Sequence, residues 1–99
     1  MIDAIFNHVA DFANIGGDAQ KAAIFRAGFY ALSVEDVHTP DGECKISARA
    51  QGKLDDMPEE LQAELKKNGE TWTSSIDGIV FYACERNIDG VKIRITGVE

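Results

Sequence analysis

Hydrophobic residues at the start of the chain follow the spacing of one face of a helix. They recur at i, i+3, i+4 and i+7 as Ile2, Ile5, Phe6, Val9, Phe12 and Ala13. Polar residues such as Asp3 and Asp11 lie on the other face, and Gly16 and Gly17 follow, which is typical of a helix end. The pattern therefore predicts an N-terminal amphipathic helix.

Residues 19–34 allow two interpretations. The alanine-rich start of this segment favours a helix, whereas Ile24, Phe29 and Val34 are typical of strands. Gly28 would weaken a helix at that position. We predict a long strand over residues 22–34, with a bulge or a close backbone approach at Gly28.

A turn and a second strand are predicted next. The turn comprises residues 38–42, His-Thr-Pro-Asp-Gly, because proline fixes φ and the Asp-Gly pair accepts positive φ. Polar residues then alternate with the apolar series Cys44, Ile46, Ala48 and Ala50. This alternation predicts a half-buried strand that pairs with the preceding strand as a hairpin. Residues 52–56 are predicted to form a linker.

Start and stop signals for a short helix lie between residues 56 and 69. Asp56 is the candidate N-cap, and Pro58 suits the first turn of a helix. Leu61 and Leu65 stand one turn apart, and Gly69 follows the last turn. These signals predict a helix over residues 58–67.

The last third of the chain predicts a β-meander. Trp72 and Ile76 are placed on one face of a strand, and Asp-Gly pairs at 77–78 and 89–90 are predicted turns. Residues 79–84 are apolar on both faces, which predicts a central strand, and residues 91–96 alternate. The fold class expected for residues 1–99 is a single α+β domain. It is mainly an antiparallel β barrel or sandwich, with the N-terminal amphipathic helix and the short helix near residues 58–67.

The chain is acidic, with 17 Asp and Glu against 10 Lys and Arg and a formal charge of −7. Nonspecific binding to DNA or anionic membranes is disfavoured, since phosphate contacts need clustered Lys and Arg. The acidity either serves solubility alone or marks an acidic interface or a DNA mimic. Because no apolar run reaches the ~18–20 residues of a membrane span and no basic signal segment opens the chain, we expect a protein that is cytosolic where it is made.

Candidate catalytic and metal-binding residues are few. Cys44 and Cys84 stand alone, and His8 and His38 show no paired zinc-site spacing, so we expect buried, reduced thiols. No Gly-x-Ser-x-Gly motif or phosphate loop is present. The acidic pairs at 55–56 and 59–60 are explained by helix capping and the helix dipole. We therefore expect no enzymatic activity, no cofactor and no metal.

The sequence offers five candidate protein-contact residues: Phe6, His38, Pro40, Asp41 and Trp72. Phe6 lies on the apolar face of the first helix, which packs either on the sheet of its own chain or on a neighbouring copy. The turn over residues 38–42 is either a simple hairpin or a projecting contact loop. Trp72 is either a core anchor or an interface anchor, because tryptophan is enriched in both places.

Three phrases of the sequence, taken in order after the first helix, carry a resemblance to a known family. They are Phe12-Ala13-Asn14-Ile15-Gly16-Gly17-Asp18-Ala19; Gly69-Glu70-Thr71-Trp72-Thr73 with the following Asp77-Gly78 and Phe81-Tyr82; and Asp89-Gly90-Val91-Lys92-Ile93-Arg94-Ile95. This order resembles the small head–tail joining proteins of tailed phages and prophages, the head-completion or tail-attachment group. The helix at residues 58–67 and the pair Ser74-Ser75 depart from the pattern of that family.

The resemblance implies a compact barrel or sandwich with peripheral helices and no active site. It implies a structural adaptor that joins the filled head to the tail, made in the host cytoplasm and then located at the head–tail junction of the virion. Its partners would be the portal or adaptor ring and tail proteins. Copies would form a ring in the particle, and an isolated copy is expected to be a monomer. The alternative is a small acidic inhibitor or DNA mimic that binds a host protein through carboxylates gathered on one face.

Overall fold

The computed structural model describes residues 6, 7, 9, 11, 18–20, 26, 28–36, 46–88 and 90–99. These residues form five strands, one 3-10 turn and one helix with both ends described. In chain order they are β1 (Ala31–Asp36), β2 (Ile46–Lys53), the 3-10 turn (Leu54–Asp56), α1 (Glu59–Asn68), β3 (Glu70–Thr73), β4 (Val80–Ile88) and β5 (Val91–Val98). The α+β class predicted from the sequence is confirmed.

The five strands form one open, mixed sheet in the order β1-β2-β5-β4-β3. The pairs β1–β2, β3–β4 and β4–β5 are antiparallel, whereas β2 and β5 run parallel from Ile46↔Val91 to Lys53↔Val98. The predicted antiparallel barrel or sandwich is therefore not the arrangement of the described residues. The error has a physical cause, because alternation with a period of two looks the same whichever direction the neighbouring strand runs.

The first helix packs on its own chain. Phe6, Asn7, Val9 and Asp11 are helical, as predicted for this segment. Phe6 and Val9 have no exposed surface, whereas Asn7 and Asp11 are exposed. Of the two alternatives for the apolar face, these residues therefore follow the first and belong to the core of this chain.

The strand predicted over residues 22–34 is wrong in its first part. Arg26 is helical, as are residues 18–20, and β1 begins only at Ala31. The predicted strand therefore fails at Arg26 and at residues 28–30, which precede β1 and belong to no strand, while residues 22–25 lie outside the described residues. The predicted close approach at Gly28 is confirmed: its φ is +91°, and a Cβ there would lie 2.5 Å from the carbonyl oxygen of Asp56.

The short helix is confirmed, with two corrections at its start. The predicted linker is shorter than expected, because Gly52 and Lys53 still belong to β2. The N-cap residue of α1 is Pro58 and makes no side-chain cap hydrogen bond, so Asp56 does not cap the helix. Leu61 and Leu65 are fully buried, and each such leucine contributes roughly 1.5–3 kcal/mol to folding.

The hydrophobic core lies on one face of the sheet. The register places Ala48 beside Ile93, and Ala50 and Cys84 on either side of Ile95, so their side chains share that face. The core consists of Phe6, Val9, Phe29, Ala48, Ala50, Leu54, Met57, Leu61, Leu65, Cys84, Val91, Ile93 and Ile95. In the described part of the chain, no helix has the length and apolar character needed to span a bilayer.

Candidate functional site: the hairpin and the open face of the sheet

The face of the sheet opposite the core carries side chains in rows that cross the strands. One row joins Trp72, Phe81, Val98 and Lys53, since each is the partner of the next. A second row, which crosses β5 four residues earlier at Arg94 rather than at Val98, joins Glu85, Arg94 and Arg49. We call this surface the open face, and it changes from aromatic and aliphatic at one end to charged towards the other.

The strands β3 and β4 form a hairpin whose turn is held by hydrogen bonds. The Ser74 N–H donates to the Ile79 carbonyl at 2.9 Å, and the Gly78 N–H donates to the Ser74 carbonyl at 3.0 Å. The Asp77 carboxylate accepts a hydrogen bond from the Ile79 N–H at 3.1 Å. Gly78 has φ +73°, as expected for the predicted reversal at Asp77-Gly78. The turn is therefore a defined structure.

The hairpin presents apolar side chains to solvent. Ile76, at the tip of the turn, is 95% exposed, and Trp72 and Ile79 are 40% and 37% exposed. Together these three residues make up what we call the hairpin ridge. The other large exposed apolar residues of the described chain, Tyr30 and Val34, lie in or beside β1 at the opposite edge of the sheet.

Trp72 is the anchor of the ridge. Its indole stacks on the ring of Phe81 with centroids 5.4 Å apart and an angle of 5° between the planes. The guanidinium carbon of Arg94 lies 5.7 Å from the centre of the indole, within the range of a cation–π contact. Trp72 is therefore not a residue of the hydrophobic core, since its ring packs on Phe81 and is 40% exposed. Its predicted role as an interface anchor stays a prediction.

Arg94 connects the ridge to an ion-pair network on the open face. Its guanidinium lies 3.1 Å from the Glu85 carboxylate and 3.4 Å from that of Glu70. Lys92 pairs with the same Glu85 at 3.2 Å. Such exposed pairs contribute only about 0–1 kcal/mol each to stability, so their main effect is to orient Arg94 beside the indole.

Of the five predicted contact residues, the structure describes two, Phe6 and Trp72, and places them apart. Trp72 is on the hairpin ridge, and Phe6 is buried in the core beneath the guanidinium of Arg86, 5.1 Å from its ring centre. His38, Pro40 and Asp41 lie outside the described residues. Sequence reasoning missed Ile76, which it placed in a strand. The polar neighbours of Ile76 in Ser-Ser-Ile-Asp-Gly are the signal that would have placed it in a turn.

The pKa values of two exposed groups are set by local hydrogen bonds. The Ile79 N–H, together with the Ser74 hydroxyl, lowers the pKa of the Asp77 carboxyl below its ordinary value. The hydrogen bond from the Tyr82 hydroxyl to the Glu99 carboxylate raises the pKa of that phenol. At neutral pH the hairpin tip therefore carries a negative charge.

Few side chains of the described residues are suited to nucleophilic catalysis or to metal binding. Burial raises the pKa of the Cys84 thiol, with the nearby Glu64 carboxylate as a second cause, so this sulfur is a weak nucleophile at neutral pH. Among the described residues, no group of three His, Cys, Asp or Glu side chains could hold a metal ion. A shallow cavity of about 340 Å³ is lined by Arg26, Gly28, Phe29, Tyr30 and Asp56.

Comparison with protein-family models, with curated proteins and with solved structures finds no match to this chain.

Proposed function

We propose that this chain is a structural, protein-binding adaptor of a tailed-phage or prophage particle, which joins the filled head to the tail. The observation that carries the binding role is the hairpin ridge. An isoleucine that is 95% exposed on a hydrogen-bonded turn adds almost nothing to the stability of its own chain. Burying such a side chain against a partner would release roughly 1.5–3 kcal/mol.

The assignment to the head–tail junction rests on the resemblance described above. Its second and third phrases fall on β3, the turn at Asp77-Gly78, the start of β4, and the β4–β5 reversal, where Gly90 has φ +82°. The partners we propose are the portal or adaptor ring and tail proteins, with copies arranged as a ring. In a ring each weak contact recurs at every copy, so the total affinity far exceeds that of one ridge.

A deletion of the gene tests the function. The expected result is filled or unstable heads together with separate, complete tails that fail to join, as seen by electron microscopy. Normal infectious particles, or the loss of tails alone, would show that the protein acts elsewhere. Portal, capsid and tail genes beside this gene would support the proposal, and their absence would remove most of its basis.

A substitution in the hairpin ridge tests whether this surface is needed to join head and tail. Ile76→Lys places a charge at an exposed apolar position and should abolish joining while the domain remains folded, because this side chain packs on nothing in its own chain. Ser75→Lys is the matched control, since residue 75 is an exposed polar neighbour in the same turn. Equal loss of joining in both variants would contradict a specific role for the ridge.

The second candidate function is an acidic inhibitor that binds a host protein. Its supporting observation is the exposed carboxylate series at the 3-10 turn and the start of α1, namely Asp55, Asp56, Glu59 and Glu60. Binding of this kind should be lost at high salt, because exposed charges are screened there. Insertion of the hairpin ridge into a partner should persist under the same conditions, since the burial of apolar surface does not depend on charge.

A further inference from the structure

We propose that two copies of this chain pair through the outer edge of β3 into a two-fold symmetric dimer with a continuous sheet. β3 is the last strand in the order of the sheet, and all four of its residues are exposed. No strand within the described ranges pairs with its outer side. An unprotected edge of this kind is a template for another strand. The dimer goes beyond the proposed function and does not depend on it.

The direction of the backbone groups along β3 follows from the hairpin. The hydrogen bond from the Ser74 N–H to the Ile79 carbonyl marks 74↔79 as a bonded pair. Because bonded and non-bonded pairs alternate in an antiparallel ladder, Trp72 also bonds to β4, whereas Thr71 and Thr73 direct their N–H and C=O groups outwards. The Val80 carbonyl, opposite Thr73, accepts from the Glu99 N–H on the β5 side, as this alternation requires.

One register satisfies these outward groups in both copies. Antiparallel pairing with Thr71 opposite Thr73 of the second copy gives two bonded pairs related by the two-fold axis. Trp72 then lies opposite Trp72 of the second copy, as a non-bonded pair in which side chains approach most closely. A shift by one residue would place the outward N–H and C=O groups of one copy opposite residues of the second copy whose N–H and C=O groups point towards β4. The hydrogen bonds between the copies would then be lost. Because the edge of β3 is complementary to itself, we infer that its binding partner is the β3 edge of a second copy.

Charge complementarity favours the same register. Glu70 faces Ser74 of the second copy, and the two Glu70 side chains are separated by four residues, or about 13 Å. Each hairpin tip, with the anionic Asp77, extends past the start of the other β3 towards the end of α1. That end carries the exposed cations Lys66 and Lys67. An acidic tip thus meets a basic helix end twice in each dimer.

This proposal differs from the expectation drawn from the sequence, which was that an isolated copy is a monomer. Pairing covers the free edge and brings the two indoles together while the protein is in solution. A neighbouring protein could use the same edge only after the dimer opens.

Cysteine cross-linking tests the register directly. In a background of Cys44→Ser and Cys84→Ser, the variant Glu70→Cys/Ser74→Cys should form a disulfide-linked dimer on mild oxidation, because these positions are opposed across the axis. Within one chain they lie about 13 Å apart along the strand and cannot form a bond. The single variants Glu70→Cys and Ser74→Cys are the controls and should remain uncrosslinked. A double variant that stays monomeric, or single variants that cross-link equally well, would overturn the proposal.

A second test leaves both native cysteines in place. Thr73→Pro removes an outward N–H without breaking the β3–β4 ladder and should raise the dimer dissociation constant about tenfold or more. Thr73→Val retains the N–H and should dimerise like the unmodified chain. The measurement is sedimentation velocity over a range of protein concentrations, with circular dichroism as the check on folding. A monomeric unmodified chain, or an unchanged dissociation constant for a folded Thr73→Pro variant, would contradict the dimer.

Discussion

The indole of Trp72 lies face to face with the ring of Phe81, with 5.4 Å between the centroids. The two residues are also direct partners in the β3–β4 ladder, so the ladder and the stack hold each other in register. The stack fixes the base of the hairpin, and the turn that carries Ile76 extends from it. The exposed side chain of Ile76 is thereby carried on a turn with a defined base.

The coupling between these two rings can be measured with a double-mutant cycle. We expect Trp72→Ala and Phe81→Ala to be less than additive, with a coupling free energy of about 0.5–1.5 kcal/mol from chemical denaturation at low protein concentration. The matched control is Ile76→Ala, which should change the free energy of unfolding by no more than about 0.5 kcal/mol, because this residue packs on nothing. Strict additivity of the two aromatic substitutions would show that the stack contributes no interaction of its own.

Gly78 should resist replacement because of its backbone conformation. Gly78→Val is expected to lower the free energy of unfolding by about 1 kcal/mol or more. The φ of Gly78 is +73°, and a β-branched residue is strained at positive φ. A Cβ there would meet nothing within 4 Å, so steric contact is not the cause. Gly78→Asn should cost less, because asparagine tolerates the left-handed region. Equal stability of all three proteins would indicate a different turn.

The raised pKa of Cys84 predicts a loss of stability at alkaline pH. The unfolded thiol ionises near pH ~8.5, while the folded thiol keeps its proton to higher pH because it is buried. Above pH ~8.5 the unfolded state therefore binds fewer protons, and the free energy of unfolding falls until the folded thiol also ionises. Thermal unfolding between pH 7 and pH 10 should show this fall, and Cys84→Ala should reduce it. Parallel pH profiles for the two proteins would contradict the linkage.

Neither cysteine is expected to bind metal or to catalyse a reaction. Replacing Cys44 and Cys84 together by serine should alter only the free energy of unfolding, because Cys84 packs in the core with its thiol 3.9 Å from the Glu64 carbonyl oxygen. Elemental analysis of protein purified without added metal is the direct check. Stoichiometric zinc in that sample, lost in the double variant, would contradict the prediction.

The N-terminal helix should be an integral part of the domain. Phe6→Ala is expected to cost about 3–5 kcal/mol, because it empties a fully buried site beside Arg86. Asn7→Ala changes an exposed residue of the same helix and should cost about 0.5 kcal/mol or less. A small effect of Phe6→Ala on the isolated protein would return this ring to the list of candidate contacts between chains.

The sequence by itself determined the features that depend on neighbouring residues. The helix at Glu59–Asn68, the reversals at Asp77-Gly78 and after Ile88, and the half-buried pattern of β5 all follow from local signals. Start and stop residues, turn residues and periodicity act over a few positions, so they can be identified without knowing what lies across the chain.

The tertiary structure alone decided which strands became neighbours and which became edges. The period of two in β2 and β5 is compatible with parallel or antiparallel pairing, and only the placement of β5 between β2 and β4 makes it parallel to β2. Among the described strands, β3 is the last of the sheet because β5 lies between β2 and β4.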